Sequence, residues 1–341
     1  MRRTLVGFLV GLSLLVAAAT LLDLPAVARV VAAADGELFV LALAFGLGGV
    51  TALGEALRRV RSAVGPEADA AVGRFFAAFW SAHFLRLLVP VGSSGAPAIT
   101  AYMLYGAFDG EYEEELAVTT AAELLSFVAS ATLALTGIAL ALAGGTTVRY
   151  ANLLVGAGLA VLGLAMALLV GLLVRPEAAD PVVHPVARAL DATLGRVSSR
   201  AHAVLAPDAV EESLARFHET AGLLRAAPRA LVAGVALSLL AWVCLSLPLY
   251  VGGLALGEQF PVALVLVAVP VSGFLYVLPV SGGLGGVEVV VASLLVAGAG
   301  VTVPVAAAAT LLYRLSTFWA PLVVGGAVSV ARPVVAPEEA L

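Results

Sequence analysis

The sequence contains no lysine: all eighteen of its basic residues are arginine, and charged residues of both signs make up only 12% of the chain. Without lysine there is no nucleotide-binding P-loop, whose lysine reaches the phosphates. The single cysteine, Cys244, excludes an intrachain disulfide. Among the four histidines, His184, His202 and His218 share no metal-ligand spacing, and neither a His-Glu motif nor a Ser-His-Asp set is present. No catalytic residue, metal or cofactor is therefore expected. The arginines are scattered over short loops and form no basic patch, which argues against a nucleic-acid partner. What the chain has in abundance is apolar surface: 62% of its 341 residues are hydrophobic and its mean hydropathy is +1.07. Soluble globular domains hold about 45–50% apolar residues. The composition is that of an all-α polytopic membrane protein forming one multi-helix membrane domain, residues 1–341, because each crossing consumes about 20 apolar residues.

Continuous apolar windows predict crossings at Thr4 to Leu22, Glu37 to Gly54, Leu116 to Ala143, Ala151 to Val174, Ala230 to Leu256 and Val303 to Val330. The first is too long for the apolar core of a signal peptide, about 7–15 residues, and is expected to be a retained helix. Two further segments are apolar but interrupted. Phe75 to Phe108 is broken by "VPVGSSGAP" and Phe260 to Ala299 by "LPVSGGLGG".

Arginines of short loops mark the cytoplasmic side. Arg2 and Arg3, then Arg58, Arg59, Arg61 and Arg74, then the seven arginines from Arg175 to Arg229, and Arg332 belong inside. The loops at 23–35, 144–150 and 257–260 belong outside. Both termini are then cytoplasmic, in the cell membrane, and the assignment is self-consistent only if each broken segment enters and leaves on one side. Phe75 to Phe108 becomes a re-entrant hairpin from the cytoplasm and Phe260 to Ala299 one from the outside. Residues 1–143 thus form a first half with its hairpin, 151–174 a further crossing, and 230–332 a second half of inverted topology, the arrangement in which transporters build a midplane site from broken helices.

Irregular backbone at membrane depth must be buried in protein or face a watery cavity, since lipid cannot satisfy its polar groups. Proline stops the incoming helix, and glycines allow a reversal that bares N–H groups. Such a nest, at the positive end of the next helix, suits a phosphate. Close helix packing is the plainer use of the same glycines.

At this point the motifs resemble a known family. "LPVSGGLGGVE" at 278–288 followed by "LLYRLSTFWAPLVVGG" at 311–326 is similar to the signature of the transmembrane domain of lysylphosphatidylglycerol synthases and related flippase-like membrane proteins. "LLVPVGSSGAPAITAYMLYG" falls where that family has its first Pro-Gly-rich hairpin, and "AVTTAAELLSF" where it has a helix with an inward glutamate. The chain differs in holding Gly95, Ala96, Pro97 and Thr100 where many members carry a Gly-Glu pair and an arginine. The resemblance implies movement of a lipid between leaflets by its head group. No soluble aminoacyl-transferring region follows Val330, so transfer chemistry is not expected.

Ionisable groups inside spans cost about 2.5 to 3.5 kcal/mol each and are functional by default. Glu123, Glu288 and Arg314 are such groups, and with Pro90 laid over Pro279, Glu123 falls within two residues of Arg314. The amides of Ser93, Ser94 and Gly95, and of Ser281, Gly282, Gly283, Gly285 and Gly286, are expected to hold a lipid phosphate while Glu123, Glu288 and Arg314 meet the head group. Glu288 with Arg314 is equally readable as a structural ion pair. Arg86 is a further candidate for a head-group or charge-pair role and is also readable as snorkelling toward the interface, and His83 is readable as packing. The long inner segment 176–228 carries apolar residues at helical spacing (Val186, Leu190, Leu194 and Val197; Val210, Leu214, Phe217 and Leu224), as expected of two amphipathic helices on the cytoplasmic face. The expected function is a lipid translocase. The rival readings are a membrane-embedded enzyme on polyprenyl-phosphate or phospholipid substrates, for which an Asp-rich metal motif is missing, and an accessory subunit of a lipid-modifying enzyme. A second copy of the chain or such an enzyme is the expected protein partner.

Overall fold

The computed structural model of the chain describes residues 24–65, 71–89, 95–108, 111–144, 151–175, 206–277 and 281–332, with isolated positions at 177, 181, 185 and 188. The described residues are helical, and no strand occurs among them. The crossing expected at Thr4 to Leu22, the amphipathic run from Val186 to Val197, and Ser93 and Ser94 lie outside them.

A short helix α1 (Leu24–Ala32) precedes α2 (Gly36–Arg61). Asp35 starts α2, its carboxylate accepting from the amides of Glu37 at 2.8 Å and Leu38 at 3.1 Å, which satisfies two of the donors that a helix start leaves open. The helix runs two turns beyond the apolar window that ends at Gly54. Glu55 accepts from Arg58 at 2.6 Å and from Arg59 at 2.8 Å, pairs one turn apart that keep the charged end helical. Next come α3 (Val72–Leu88), α4 (Ala96–Ala107), α5 (Tyr112–Ala143), α6 (Ala151–Val174), α7 (Pro207–Ala226) and α8 (Pro228–Ala255). The chain closes with α9 (Val262–Gly273), α10 (Gly286–Ala299), α11 (Val303–Arg314) and α12 (Ala320–Ala331).

Helices α2, α5 and α8, and the stretch Val303–Ala331, are each long and apolar enough to cross a membrane. The last matches the crossing expected from Val303 to Val330 and passes through a π-helical turn at Leu315–Trp319 between α11 and α12. Helix α5 starts four residues ahead of its apolar window, with Glu113, Glu114 and Glu115 in a first turn whose free amides attract negative charge. Each interrupted segment is a pair of short helices, α3 with α4 and α9 with α10, of 17, 12, 12 and 14 residues. None of these four reaches the roughly 20 residues that one crossing needs.

Close approach explains how apolar helices pack where lipid offers no hydrophobic drive. Helix α2 lies along α8, and a Cβ at Gly49 would come within 2.7 Å of Leu245; on the opposite pairing, one at Gly234 would come within 2.9 Å of Val60 and Leu125. One core gathers Val50, Phe75, Phe79, Leu104, Phe108 and Leu125 from α2 to α5. Another gathers Leu249, Val265, Val291, Leu295 and Tyr313 from α8 to α11. Amphipathic α7 docks on α5 and α6, burying Val210 and Leu224, and ties to the acidic turn through Ser213 to Glu113 at 2.8 Å and Arg216 to Glu111 at 3.1 Å.

Candidate functional site

The second interruption is knit together by its own side chains. Gly282, Gly283 and Gly285 have φ of 56°, 63° and 83°, the left-handed region that costs glycine alone almost nothing. A Cβ at Gly282 would run into the Phe318 ring. Gly286 opens α10, and Ser281 begins the short 3-10 turn Ser281–Gly283. Glu288, in the first turn of α10, accepts the Gly285 amide at 2.7 Å. Its other oxygen accepts from Arg314 Nε at 2.6 Å. Arg314 Nη2 donates to the Gly282 carbonyl at 2.8 Å, and the guanidinium carbon lies 4.4 Å from the Phe318 ring centre. With its side chain only 1% exposed, Arg314 is a buried cation satisfied by a carboxylate, a carbonyl and a ring face.

The first interruption is held differently. Gly95 caps α4 at φ −90°, a conformation open to any residue, and Pro97 sits in the first turn, where its missing N–H leaves nothing unpaired. The Thr119 hydroxyl of α5, whose shortest bond is to the Glu115 carbonyl at 2.8 Å, also lies 3.2 Å from the Pro97 carbonyl. Arg86, which the sequence allowed to snorkel, instead reaches Glu123 of α5, Nη2 to Oε1 at 2.8 Å, and each side chain remains 26% exposed. The four intramembrane charges thus form two separate pairs, each within one broken segment and the helix that follows it. Glu123 meets Arg86, and Arg314 meets Glu288.

A cavity of about 210 Å³ lies where the two segments meet. Helices α2 to α5, α8 and α9 line it, together with Gly282, Tyr313 and Thr317. Arg86, Glu123 and His83 are in its wall, and Trp242 Nε1 donates to Ser126 across it at 3.0 Å. Glu288 and Arg314 are not among the lining residues; Arg314 sits behind Gly282, holding that carbonyl. The His83 ring packs as expected, stacked on Phe79 with centroids 6.1 Å apart and edge-on to Trp80 at 6.0 Å.

Sequence reasoning did not single out the pair Arg61–Glu115. It joins the end of α2 to the start of α5 at 2.7 Å, with side chains 3% and 0% exposed, and Phe108 lies between the guanidiniums of Arg61 and Arg74, 4.1 and 4.8 Å away. The only sequence signal was opposite charge at helix ends assigned to one side of the membrane, and the neighbouring Arg58, Arg59, Glu113 and Glu114 carry the same signal. Among the described residues no group of His, Cys, Asp and Glu could hold a metal ion.

A protein-family model described as "Lysylphosphatidylglycerol synthase TM region" matches residues 4–325. No curated protein and no solved structure matches the chain.

Proposed function

The chain belongs to the lysylphosphatidylglycerol synthase TM region family, and from that premise we propose that it moves a phosphate-containing lipid between the leaflets of the cell membrane. The observation that carries this reading is the ion pair Arg86–Glu123 in the wall of a cavity built by both broken segments. A guanidinium matches a phosphate through two parallel hydrogen bonds. Its present partner is 26% exposed, and a partly solvated pair is held less tightly than a fully buried one, so a lipid phosphate can compete with Glu123 for the guanidinium. Glu123 then faces the cationic or hydroxylated part of the head group. At about 210 Å³ the cavity is smaller than the roughly 300 to 1,000 Å³ that encloses a whole drug-sized ligand. The head group enters and the tails stay in the bilayer.

In this reading the two broken segments are re-entrant hairpins of two inverted halves, entering from opposite faces, with both termini cytoplasmic. The short lengths of α3, α4, α9 and α10 support it, as does the irregular backbone at Gly282 beside the cavity, which lipid could not accommodate. Backbone amides at Gly95 and at Gly282, Gly283 and Gly286 are the further donors proposed for the phosphate, and of these glycines Gly282 lies in the cavity lining. The Gly285 amide is engaged by Glu288, which with Arg314 holds the turn that presents Gly282.

The test is a vesicle assay with tail-labelled fluorescent phosphatidylglycerol and phosphatidylethanolamine, in which dithionite destroys only outer-leaflet label. The wild-type chain removes the protected inner-leaflet signal, whereas Arg86→Gln and Glu123→Gln slow its loss about tenfold, the effect of one charge-assisted hydrogen bond. Protection equal to that of protein-free vesicles for both lipids refutes the proposal. Labelling of a cysteine at Gly110 from outside alone, with Cys244 replaced, refutes the hairpin geometry.

A further inference from the structure

Helix α3 sends Phe79, His83, Arg86 and Leu87 into the cavity wall, positions that recur at helical spacing and so form one stripe. Two neighbouring rings fix the His83 imidazole, Phe79 stacked at 26° and Trp80 edge-on at 78°. Its Nε2 is buried and has no hydrogen-bond partner among the described residues. Buried polar atoms are overwhelmingly paired, and one that is not calls for an explanation. Packing does not supply it, because a phenylalanine would fill the same aromatic slot with no nitrogen to bury. Side chains three residues apart on a helix have Cβ atoms about 5–6 Å apart, so a phosphate gripped by Arg86 lies within reach of the imidazole.

Resting on the lipid-translocase reading, we propose that His83 is a second head-group-binding residue, donating from Nε2 to a phosphate oxygen that Arg86 does not take. In a tautomer protonated at Nε2 the neutral ring is a donor at that atom. Arg86 supplies the charge. His83, held by its two aromatic neighbours, supplies direction, and its bond sets the orientation of the phosphate relative to Glu123.

Three variants in the vesicle assay decide it. A glutamine side chain places its amide near the Nε2 position, an asparagine places its amide near Nδ1, and phenylalanine keeps the packing alone. Translocation of tail-labelled phosphatidylglycerol is expected to fall about tenfold in His83→Phe and His83→Asn and to recover to within about threefold of wild type in His83→Gln. Movement of a tail-labelled glycolipid lacking phosphate, if any is seen, stays unchanged in all three. Wild-type rates in His83→Phe overturn the proposal, and so does an equal loss in the Gln and Asn variants, since position of the donor is then immaterial. Should His83→Phe fail to fold in detergent, the Gln–Asn contrast still decides. A wild-type chain that moves neither lipid defeats the translocase reading itself, whereas Arg86→Gln slow with His83→Phe normal defeats only the role of His83.

Discussion

The two interruptions share a pattern, proline and valine followed by small residues and glycine, yet the arginines attached to them are spent differently. At the second, Arg314 is 1% exposed and bound to Glu288, to the Gly282 carbonyl and to the Phe318 face. At the first, Arg86 has Glu123, and both are 26% exposed in the cavity wall. A buried cation with every donor direction answered belongs to the architecture, because removing one partner strands a charge. A partly solvated pair adds little stability and leaves its arginine available to a substrate. Similar breaks thus hold one arginine as a buried anchor of the fold and leave the other in a cavity wall, where the proposed lipid phosphate would meet it.

The largest expected effect breaks the comparison if it fails. Arg314→Ala should destabilise the protein by about 3–5 kcal/mol, whereas Arg86→Ala, which breaks a pair open to solvent on both sides, should cost less while slowing lipid movement about tenfold or more. Denaturant unfolding in detergent measures the first quantity and the vesicle assay the second. Equal destabilisation by the two variants would erase the distinction between the halves.

Next in size is the pair at the junction of α2 and α5, which is buried on both sides (3% and 0% exposed) where Arg314–Glu288 is buried on the arginine side only (1% and 23%), and which lies outside the cavity. Glu115→Leu alone should cost about 3 kcal/mol by leaving Arg61 uncompensated, and adding Arg61→Leu should recover most of it, as replacement of a whole buried pair commonly does. Lipid movement by the double variant should be near normal. A double variant as unstable as the single one would mean that Arg61 contributes through its stacking on Phe108 and not through its charge.

A smaller contrast separates the glycines. Gly282→Ala introduces a left-handed alanine whose Cβ meets Phe318, at about 1–3 kcal/mol for the backbone alone. Gly95→Ala, at φ −90°, should change stability by less than about 1 kcal/mol in either direction. Similar unfolding midpoints for the two would show that the second turn rearranges freely.

The smallest effect lies on amphipathic α7. The Glu212 carboxylate, and then Glu111, raise the pKa of Arg216 above its ordinary value. A raised folded-state pKa gives stability that persists below the unfolded pKa and is lost only as pH rises through the folded one. For an arginine that window lies beyond the working range, so Arg216→Ala should leave the pH dependence of unfolding between pH 5 and 9, roughly the usable range, unaltered. A slope that changes with this substitution would show that α7 carries more of the fold than its exposed ion pairs indicate.

The apolar windows match helix limits to within a turn at α6, α8 and the stretch from α11 to α12, because transfer of a side chain into hydrocarbon is a property of that residue and its near neighbours, summed along the chain. They failed at the ends of α2 and α5, where charged residues remain helical through one-turn pairs and the helix dipole. The interruptions, too, were legible as proline and glycine, and the left-handed turn at Gly282 to Gly285 follows from them. His83 was legible only as a polar atom on an apolar limb. That its nitrogen is buried without a partner among the described residues, beside a cavity, depends on α2, α5 and α8 closing around it.

From the sequence alone came the membrane class, the places where helices run and where they break, and the short inventory of charges in the apolar interior. Which acid each arginine meets was decided by tertiary structure. The partners are separated by 37 residues for Arg86 and Glu123, by 54 for Arg61 and Glu115 and by 26 for Arg314 and Glu288. An ion pair forms or fails over a few ångströms, a distance set by how far each helix rotates and slides against its neighbour. The same rotation turns Arg86 toward the cavity and Arg314 away from it, and no local pattern of residues encodes that choice.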